Sequence, residues 1–449
     1  MTRIGFAYNI KPQSADPRFE GDSDAESSRP DEEPPSRVRG SGLGARGSGT
    51  ASGMRAPAPR AVASPAPRAP NSDEFAEWDS EETIAAVGRA LAGLGEVIPL
   101  EANADFPERL RAERPDIVFN MAEGLRGVNR EAHVPAICEF FGIPYSGSDP
   151  FTLSLCLEKA RTKECLAFHG VPTAPFALIR SADELRGSGL GTRDSGTASG
   201  VRAASLRAVA SPEPRVPSPY FIKPVHEGSS KGITEKNFCR TRAELETQVA
   251  ELLEQYRQPV LIETYLPGAE FTCAVLGNRA EARVLPIVGM NFSALPEGAL
   301  PVYGFEAKWL WDRPERPLEI FECPARIDEA LRSRIEAVVL RAYRVLGCRD
   351  WSRIDVRLDA DGVPNVVEVN PLPGILPNPE DNSCFPKAAR AAGMSYDKLI
   401  QACVRIAAER QGIPLPEDAI RAHPAFTSST GFVPASTRPE AFRAAATLG

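Results

Sequence analysis

Apolar residues recur along this chain with two periods, one typical of strands and one typical of helices. Short apolar runs predict strands, and the amphipathic stretches between them predict helices. In the first part of the chain, strands are predicted at residues 3–8, 96–100 and 116–120, and helices at 81–94, 106–114, 131–141 and 149–169. This βαβαβ order predicts a parallel sheet covered by helices.

Residues 351–374 predict a β-hairpin with one apolar face and one chemical face. Because side chains alternate along a strand, Arg353 and Asp355 share a face, and so do Glu368 and Asn370. The opposite face is predicted to carry Ile354, Val356, Val367 and Val369.

The length of the hairpin turn decides which of these residues lie opposite each other. If the turn contains four residues, Leu358 pairs with Val363. Arg353 then lies opposite Glu368, with Asp355 diagonal to it and within reach. Two carboxylates and an amide oxygen are hard ligands that suit Mg²⁺ held jointly with nucleotide phosphates. A half-exposed hairpin with solvated charges is the alternative.

The hairpin also resembles the ATP-grasp superfamily, and most closely the D-alanine:D-alanine ligase family, whose metal-binding hairpin ends in Glu-Val-Asn-x-x-Pro-Gly. Residues 368–374 read Glu-Val-Asn-Pro-Leu-Pro-Gly, and residues 383–400 resemble that family's substrate-carboxylate serine, Ser383, and closing helix. The resemblance implies an α/β ATP-grasp fold, α+β in its ATP-binding part, that binds ATP and two Mg²⁺ or Mn²⁺ ions. The metal ligands that it implies are Asp355, Glu368 and Asn370.

Residues 220–232 predict an apolar strand that delivers Lys223 to a loop of small residues. Free backbone N–H groups in such a loop can fold over phosphate oxygens, with hydroxyls from Ser229 and Ser230 available. A flexible turn is the alternative. In this context the loop resembles the mobile phosphate-covering loop of the ligase family.

A strand at residues 260–266 resembles the family's hinge against which adenine lies. For both Glu263 and Glu270, the alternative is an exposed position at the end of a strand. The nucleotide contacts implied by the resemblance are Glu263 for adenine, Leu266 in the hinge and Glu270 for ribose.

Residues 303–309 resemble the family's Tyr-x-Tyr-x-Ala-Lys-Tyr segment, in which the lysine reaches the γ-phosphate. The implied mechanism is phosphorylation of a substrate carboxylate, followed by attack of an amine on the acyl phosphate. Phosphoryl transfer of this kind is catalysed mainly by positioning and charge. The lysines that would neutralise the triphosphate are Lys159, Lys223 and Lys308. The catalytic residues that the resemblance implies are Arg353, Ser229 and Gly374. Arg353 and the backbone N–H of Gly374 would hold the oxyanion of the tetrahedral state.

The sequence departs from the family on the amino-acid side of the site. Residues 7–14 lack the family's Gly-Gly-x-Ser-x-Glu segment, whose glutamate anchors the first amino group. The family's His-Gly is replaced by Met-Ala-Glu-Gly at residues 121–124. The family's tyrosine in the lysine segment is replaced by Trp309. An unpaired ammonium in a closed site is costly, so another acid must replace the missing anchor. Glu123 and Glu131 are the candidates because the predicted strand before them ends at the edge where α/β ligand sites lie. The alternative for Glu131 is a helix cap.

Composition agrees with a cytoplasmic enzyme of more than one domain. The chain has 449 residues, 42% of them hydrophobic, and a net charge of −8, which disfavours nucleic acid as a partner. Its start lacks the apolar core of a signal peptide, and no uninterrupted apolar stretch in the sequence is long enough to predict a membrane span. None of the nine cysteines forms a Cys-x-x-Cys pair, so ordinary reduced thiols are expected. Small-molecule amino acids are the expected partners, and homodimerisation is left open.

Residues 39–70 recur at 186–217, with 24 of 32 aligned positions identical. Both copies are rich in Gly, Ser, Ala, Pro and Arg, a composition that predicts disorder. The repeat indicates one low-complexity element that was inserted twice into surface loops. The acidic stretch before the first copy, from residue 20, and the tail from residue 414 are expected to be similar.

Three domains and a tail are predicted. Residues 1–148 form an N-terminal α/β domain with insertion 20–72, residues 149–266 a central ATP-binding lid with insertion 186–218, residues 267–413 a C-terminal subdomain with the metal site, and residues 414–449 the tail. The predicted function is an ATP-dependent carboxylate–amine ligase of the D-alanine:D-alanine type, supplying peptidoglycan precursors. The alternatives are an ATP-grasp ligase with another amino-acid or hydroxy-acid substrate, and a non-catalytic nucleotide-binding protein.

Overall fold

The computed structural model describes residues 1–12, 75, 77–188, 216, 219–304, 306–311 and 318–416, without the side chains of residues 306, 309 and 310. The chain divides into two compact units, Pro12–Phe75 and the remainder. All the helices and strands given below belong to the remainder. No helix in the described ranges is long and apolar enough to cross a membrane.

The first sheet is parallel and has the order β2-β1-β3. Its strands are β1 (Arg3–Tyr8), β2 (Glu96–Glu101) and β3 (Ile117–Asn120). Helices α1 (Glu81–Ala92), α2 (Phe106–Glu113) and α3 (His133–Phe141) complete this part of the fold. β1 pairs in parallel on both sides, which explains why its four central residues are all buried.

The second sheet is antiparallel and has the order β4-β7-β5-β6. Its strands are β4 (Phe176–Ile179), β5 (Tyr220–Pro224), β6 (Phe238–Cys239) and β7 (Val260–Thr264). The helices in this part of the chain are α4 (Pro150–Leu157), α5 (Lys159–Phe168), α6 (Ala182–Gly187) and α7 (Arg242–Tyr256). The sheet carries the predicted lysine strand, β5, next to the predicted hinge strand, β7.

The third sheet has the order β11-β10-β8-β12-β13, with β9 paired to β8. Its strands are β8 (Glu270–Leu276), β9 (Arg283–Val284), β10 (Val288–Met290), β11 (Phe321–Glu322), β12 (Trp351–Leu358) and β13 (Pro364–Asn370). Helices α8 (Glu329–Val345), α9 (Cys384–Ala391) and α10 (Tyr396–Gln411) follow in the chain. Each sheet lies within one of the three predicted domain ranges, while the exact boundaries stay a prediction.

The predicted register of the β12–β13 hairpin is wrong. Leu358 pairs with Pro364 rather than with Val363, and a bulge follows, after which Asp355 lies opposite Glu368. The bulge leaves Val367 outside the ladder, so Val366 takes the core position predicted for it. A bulge puts two residues of one strand against one of the other, which strict alternation cannot foresee.

The single helix predicted at residues 149–169 is in fact two helices. Glu158 is extended (φ −92°, ψ 92°) and ends α4, and its side chain accepts a hydrogen bond from the Arg161 N–H to cap α5. The Lys159 N–H donates instead to the Val225 carbonyl. The helix predicted at residues 131–141 also starts later, at His133, after a 3₁₀ turn.

The second low-complexity copy is not wholly outside the folded structure. Arg186 and Gly187 end α6, and Val216 is buried in the hydrophobic core of the second sheet. The first copy has Ala69 at the position of Val216, so this is one of the positions at which the copies differ. Four parts of the chain lie outside the described residues: the first copy, residues 189–215 and 217 of the second copy, the stretch from residue 20, and the tail beyond residue 416.

Candidate active site

Two acidic side chains face each other across the β12–β13 hairpin. Asp355 lies opposite Glu368, and Arg353 lies opposite Asn370. Arg353 donates to Asp355 through Nε at 3.2 Å and a terminal guanidinium nitrogen at 3.0 Å. Nδ2 of Asn370 lies 3.4 Å from Oδ2 of Asp355. The structure therefore brings together the four residues that the sequence places on one face.

The two carboxyl groups differ in their electrostatic surroundings. Nζ of Lys159, the first residue of α5, lies 2.8 Å from Oε1 of Glu368. Burial opposes ionisation, but Lys159 and Lys223 lower the pKa of Glu368 to about 2. Burial raises the pKa of Asp355, and the nearby Arg353 offsets this only in part. A bound cation would therefore favour the ionised form of Asp355.

The donor set of the hairpin fits a hard divalent cation. Asp355 and Glu368 supply carboxylate oxygens and Asn370 can supply an amide oxygen, which are the ligand types that Mg²⁺ takes in proteins. Within the described ranges, no group of three or more His, Cys, Asp or Glu side chains could hold a metal by itself. Two carboxylates and one amide would leave coordination positions for phosphate oxygens.

Glu263 of β7 lies between two buried lysines. Its carboxylate is 2.5 Å from Nζ of Lys163 and 2.7 Å from Nζ of Lys223. Burial opposes ionisation of Glu263, but the two lysines lower its pKa overall. Lys223 was predicted from the sequence, whereas Lys163 was not. Lys163 could have been found from its spacing, because it lies one helical turn after Lys159 on α5.

The predicted ribose contact, Glu270, forms an ion pair that the sequence analysis missed. A guanidinium nitrogen of Arg357 lies 2.8 Å from Oε2 of Glu270, and another donates to the Tyr265 hydroxyl at 2.8 Å. Arg357 follows Asp355 by two residues on β12 and therefore shares its face. Leu266 is buried and lies just beyond the end of β7.

Both serines of the predicted phosphate-covering loop have left-handed backbone conformations. The φ angle is 49° at Ser229 and 61° at Ser230. Few non-glycine residues adopt such angles, and they are frequent in functional loops. The Ser230 hydroxyl donates to the Tyr303 carbonyl at 3.2 Å. This contact connects the loop to the segment that leads to Lys308.

Lys308 lies in a short π-helix, Glu306–Trp311. Burial, followed by repulsion from Arg353, lowers the pKa of Lys308 to about 8. Lys308 and Arg353 are therefore close enough to repel each other electrostatically. The side chain of Trp309, which replaces the family's tyrosine, lies outside what the structure describes.

Ser383 contacts the turn that follows β13. Its hydroxyl accepts a hydrogen bond from the Leu376 N–H at 3.2 Å and donates to the Gly374 carbonyl at 3.3 Å. Gly374 is exposed, and a Cβ added to it would meet no atom within 4 Å. Open space therefore lies beside the backbone that was predicted to stabilise an oxyanion.

Glu123 and Glu131, the two acids after β3, both have raised pKa values. Burial, with Glu77 as the next cause, raises the pKa of Glu131 to about 7. Burial and Glu131 raise the pKa of Glu123. The charges of Lys159 and Glu368 also act on Glu131, so this acid lies near the β12–β13 hairpin. Raised carboxyl pKa values in a cleft are typical of functional sites.

The sequence analysis also missed Glu77, which lies between β1 and α1. It is buried and paired with Arg130 at 2.9 Å and with Lys231 at 3.0 Å. The insertion separates Glu77 from β1 in the sequence, so a search limited to residues 7–14 could not find it. Its position three residues before Ser80, the N-cap of α1, was an available signal.

The family model described as D-ala D-ala ligase C-terminus matches residues 198–405. "Uncharacterized protein y4sG" of Sinorhizobium fredii is 33% identical over 67% of this chain and 76% of its own length. The "D-alanine--D-alanine ligase" of Desulforudis audaxviator is 31% identical over 72% of this chain and 92% of its own length.

A solved structure of D-alanine--D-alanine ligase from Bacillus anthracis has a TM-score of 0.56, with 21% identity, and the match covers 92% of this chain and 99% of that one. Fold and site together define an ATP-grasp ligase. The chain belongs to the D-alanine–D-alanine ligase family. The predictions of the family, the fold and the ligase class are therefore confirmed.

Proposed function

We propose that this protein is an ATP-dependent ligase that joins two D-alanine molecules through an acyl phosphate, in the cytoplasm and for peptidoglycan precursor synthesis. The observation that carries the proposal is the pairing of Asp355 with Glu368 across the hairpin, with Arg353 bonded to Asp355. Lys159 lies against Glu368 on the other side. Carboxylates that would hold a metal thus lie beside cations that would bind phosphates and an oxyanion.

The nucleotide would lie between the second and third sheets, where the cationic residues converge. Lys159, Lys223 and Lys308 would neutralise the triphosphate, and the backbone N–H groups around Ser229 and Ser230 would cover it. The ion pairs of Lys159 with Glu368 and of Lys223 with Glu263 hold these lysines in place. Glu263, Leu266 and Glu270 would contact the nucleoside.

Asp355, Glu368 and Asn370 would hold Mg²⁺, with two ions expected from the family resemblance. When bound, Mg²⁺ supplies positive charge that offsets the negative charge of the phosphates. The anionic state of Glu368 and the oxygen donors of all three residues support this assignment.

In the first step, the carboxylate of one D-alanine would attack the γ-phosphorus of ATP, and ADP would leave. In the second step, the amine of the other D-alanine would attack the acyl carbon, and phosphate would leave with the electrons of the broken C–O bond. Arg353 and the Gly374 N–H would stabilise the oxyanion of the tetrahedral state. Ser383 would bind the carboxylate of the second amino acid and position the Gly374 turn.

Glu123 and Glu131 would bind the ammonium group of the first D-alanine. Among the described residues, no cation donates a hydrogen bond to either carboxyl group, and burial raises the pKa of both. An arriving ammonium would favour their ionised forms, which is the condition for a strong ion pair.

Coupled measurement of ADP release across a panel of amino and hydroxy acids tests this function. Among the acids of the panel, we expect only D-alanine to stimulate ADP release, with one dipeptide formed for each ADP. A higher kcat/KM with a different acid would overturn the substrate assignment. If no acid stimulates ADP release while ATP still binds, ligation itself is excluded and the chain is a nucleotide-binding protein.

A further inference from the structure

The carboxylate of Glu77 joins three separate segments of the chain. A terminal nitrogen of Arg130 donates to both of its oxygens, at 2.9 and 3.0 Å. Nζ of Lys231 donates to Oε2 at 3.0 Å, and the Gly228 N–H donates to Oε1 at 3.0 Å. Two of these donors belong to the phosphate-covering loop, residues 228–232.

These contacts fill the acceptor capacity of the Glu77 carboxylate. A carboxylate has about four lone-pair positions, and the four hydrogen bonds above place two donors on each oxygen. Glu77 is therefore already fully bonded, without a substrate ammonium. Glu123 and Glu131 remain the acids available for that ammonium.

The loop approaches Glu77 closely at position 228, where a larger residue would displace the Glu77 carboxylate. A Cβ added to Gly228 would lie 2.4 Å from Oε1 of Glu77. Arg130 also donates to the carbonyl of His226, the residue two before the loop, at 3.1 Å. Both the backbone and the side chains of this segment are thus bound to the N-terminal part of the fold.

The charges in this network balance one another away from water. Burial opposes ionisation of Glu77, but Lys231 and Arg130 lower its pKa overall. Lys231 also pairs with Glu227 at 2.8 Å. The side chains of Glu77 and Lys231 are each 7% exposed. Removing one partner of such a pair is strongly destabilising, because the other charge stays buried without compensation.

We propose that Glu77 is a positioning residue, and that its ion pairs with Arg130 and Lys231 form a latch that holds loop 228–232 closed over the acyl phosphate. This inference rests on the proposed function. If the loop opens early, water attacks the acyl phosphate, the acyl–phosphate linkage breaks, and the carboxylic acid and phosphate are released. One ATP is then converted to ADP and phosphate without a new peptide bond.

The ratio of ADP released to dipeptide formed tests the latch. We expect a ratio near one for the wild type and a severalfold higher ratio for Glu77→Gln and for Lys231→Met. The double variant should be no worse than the more impaired single variant, because both changes remove the same contact. Lys236→Met is the matched control: it removes a lysine of the same part of the fold whose side chain is 73% exposed, and it should leave the ratio unchanged. An unchanged ratio in both latch variants would overturn the proposal.

Hydrogen exchange of the amides of residues 228–232, in full-length protein without substrates, tests the latch independently of ligation. Exchange should be faster in Glu77→Gln and in Lys231→Met than in the wild type and the Lys236→Met control. If Glu77→Gln does not fold, Lys231→Met gives the same measurement. Equal exchange in all proteins would overturn the latch even if the wild type is an active ligase. Faster exchange in an enzyme that forms no dipeptide would instead contradict the proposed function.

Discussion

At the scale of single residues, charge decides the roles of the acids in this site. Glu368 is held anionic by lysines and Glu77 is fully bonded, whereas Glu123 and Glu131 are half-buried with raised pKa values. The sequence identified three of these four acids. The sequence could not show which of these acids are paired with cations, because the partners, such as Lys231, lie far away in the chain.

The first prediction concerns Glu368. Glu368→Gln removes one negative charge from the proposed Mg²⁺ site and leaves Lys159 without its ion-pair partner. We expect kcat to fall at least about a hundredfold, on the order of 3 kcal/mol in the barrier, with the fold retained. Steady-state kinetics and circular dichroism check this together. Near-normal turnover would contradict the metal assignment.

The second prediction concerns the first ammonium. Glu123→Gln or Glu131→Gln should raise KM for the first amino acid far more than KM for ATP, because a neutral amide cannot pair with an ammonium. Kinetics with each substrate varied separately measure the two effects. The matched control is Glu81→Gln, which neutralises an exposed glutamate on the first turn of α1. It should change neither the KM for the first amino acid nor the KM for ATP. Equal effects on both KM values would argue for a structural role.

The third prediction follows from the pKa of Glu131, which burial raises to about 7. Below that pH the group is protonated and neutral, and above it the group is an anion that can bind an ammonium. KM for the first amino acid should therefore fall as pH rises through about 7. The pKa values of Glu77 and Glu368 are lowered and that of Arg130 is raised, so these three groups stay charged across this range. Glu123 also faces Glu131, and its pKa is raised by burial and by Glu131, so the profile reports the two acids together. A Glu131→Gln enzyme with the same pH profile would contradict the prediction.

At the scale of elements, the errors of the sequence analysis have local causes. The hairpin and its chemical face were predicted, but the bulge at Val367 moved Glu368 from opposite Arg353 to opposite Asp355. The break between α4 and α5 was missed because a glutamate is an ordinary helix residue. Only the structure shows that Glu158 serves as a cap.

The fourth prediction concerns this cap. Glu158→Ala should cost about 1 kcal/mol of stability, as for other N-caps, and should also raise KM for ATP, because α5 begins with Lys159. Thermal unfolding and ATP kinetics measure the two effects. Thr241→Ala removes the N-cap of α7 and should cost similar stability with no change in KM. A rise in KM in both variants would mean that general destabilisation is the cause.

At the scale of the whole molecule, the order of strands and helices was predicted for the first part of the chain, because hydrophobic periodicity is local. Contacts between distant segments were not, since no local pattern encodes them. The ion pairs of Glu77 with Lys231 and of Lys163 with Glu263 join residues that are far apart in the sequence. The duplicated segment shows the same limit, because its composition predicts disorder although Val216 is buried.

The last prediction compares the two copies of that segment with Val216, which packs in the core of the second sheet. Replacing residues 39–70 and 189–213 with short Gly/Ser linkers should leave the thermal midpoint and ATP affinity nearly unchanged, because such loops supply no core and their closure entropy varies slowly with length. Val216→Ala alone should destabilise the protein by on the order of 2 kcal/mol, since it removes two buried carbons and leaves a cavity. Calorimetry and nucleotide titration of both variants measure these effects. A large loss of stability in the linker variant, with none in Val216→Ala, would show that the low-complexity segments themselves are part of the folded structure.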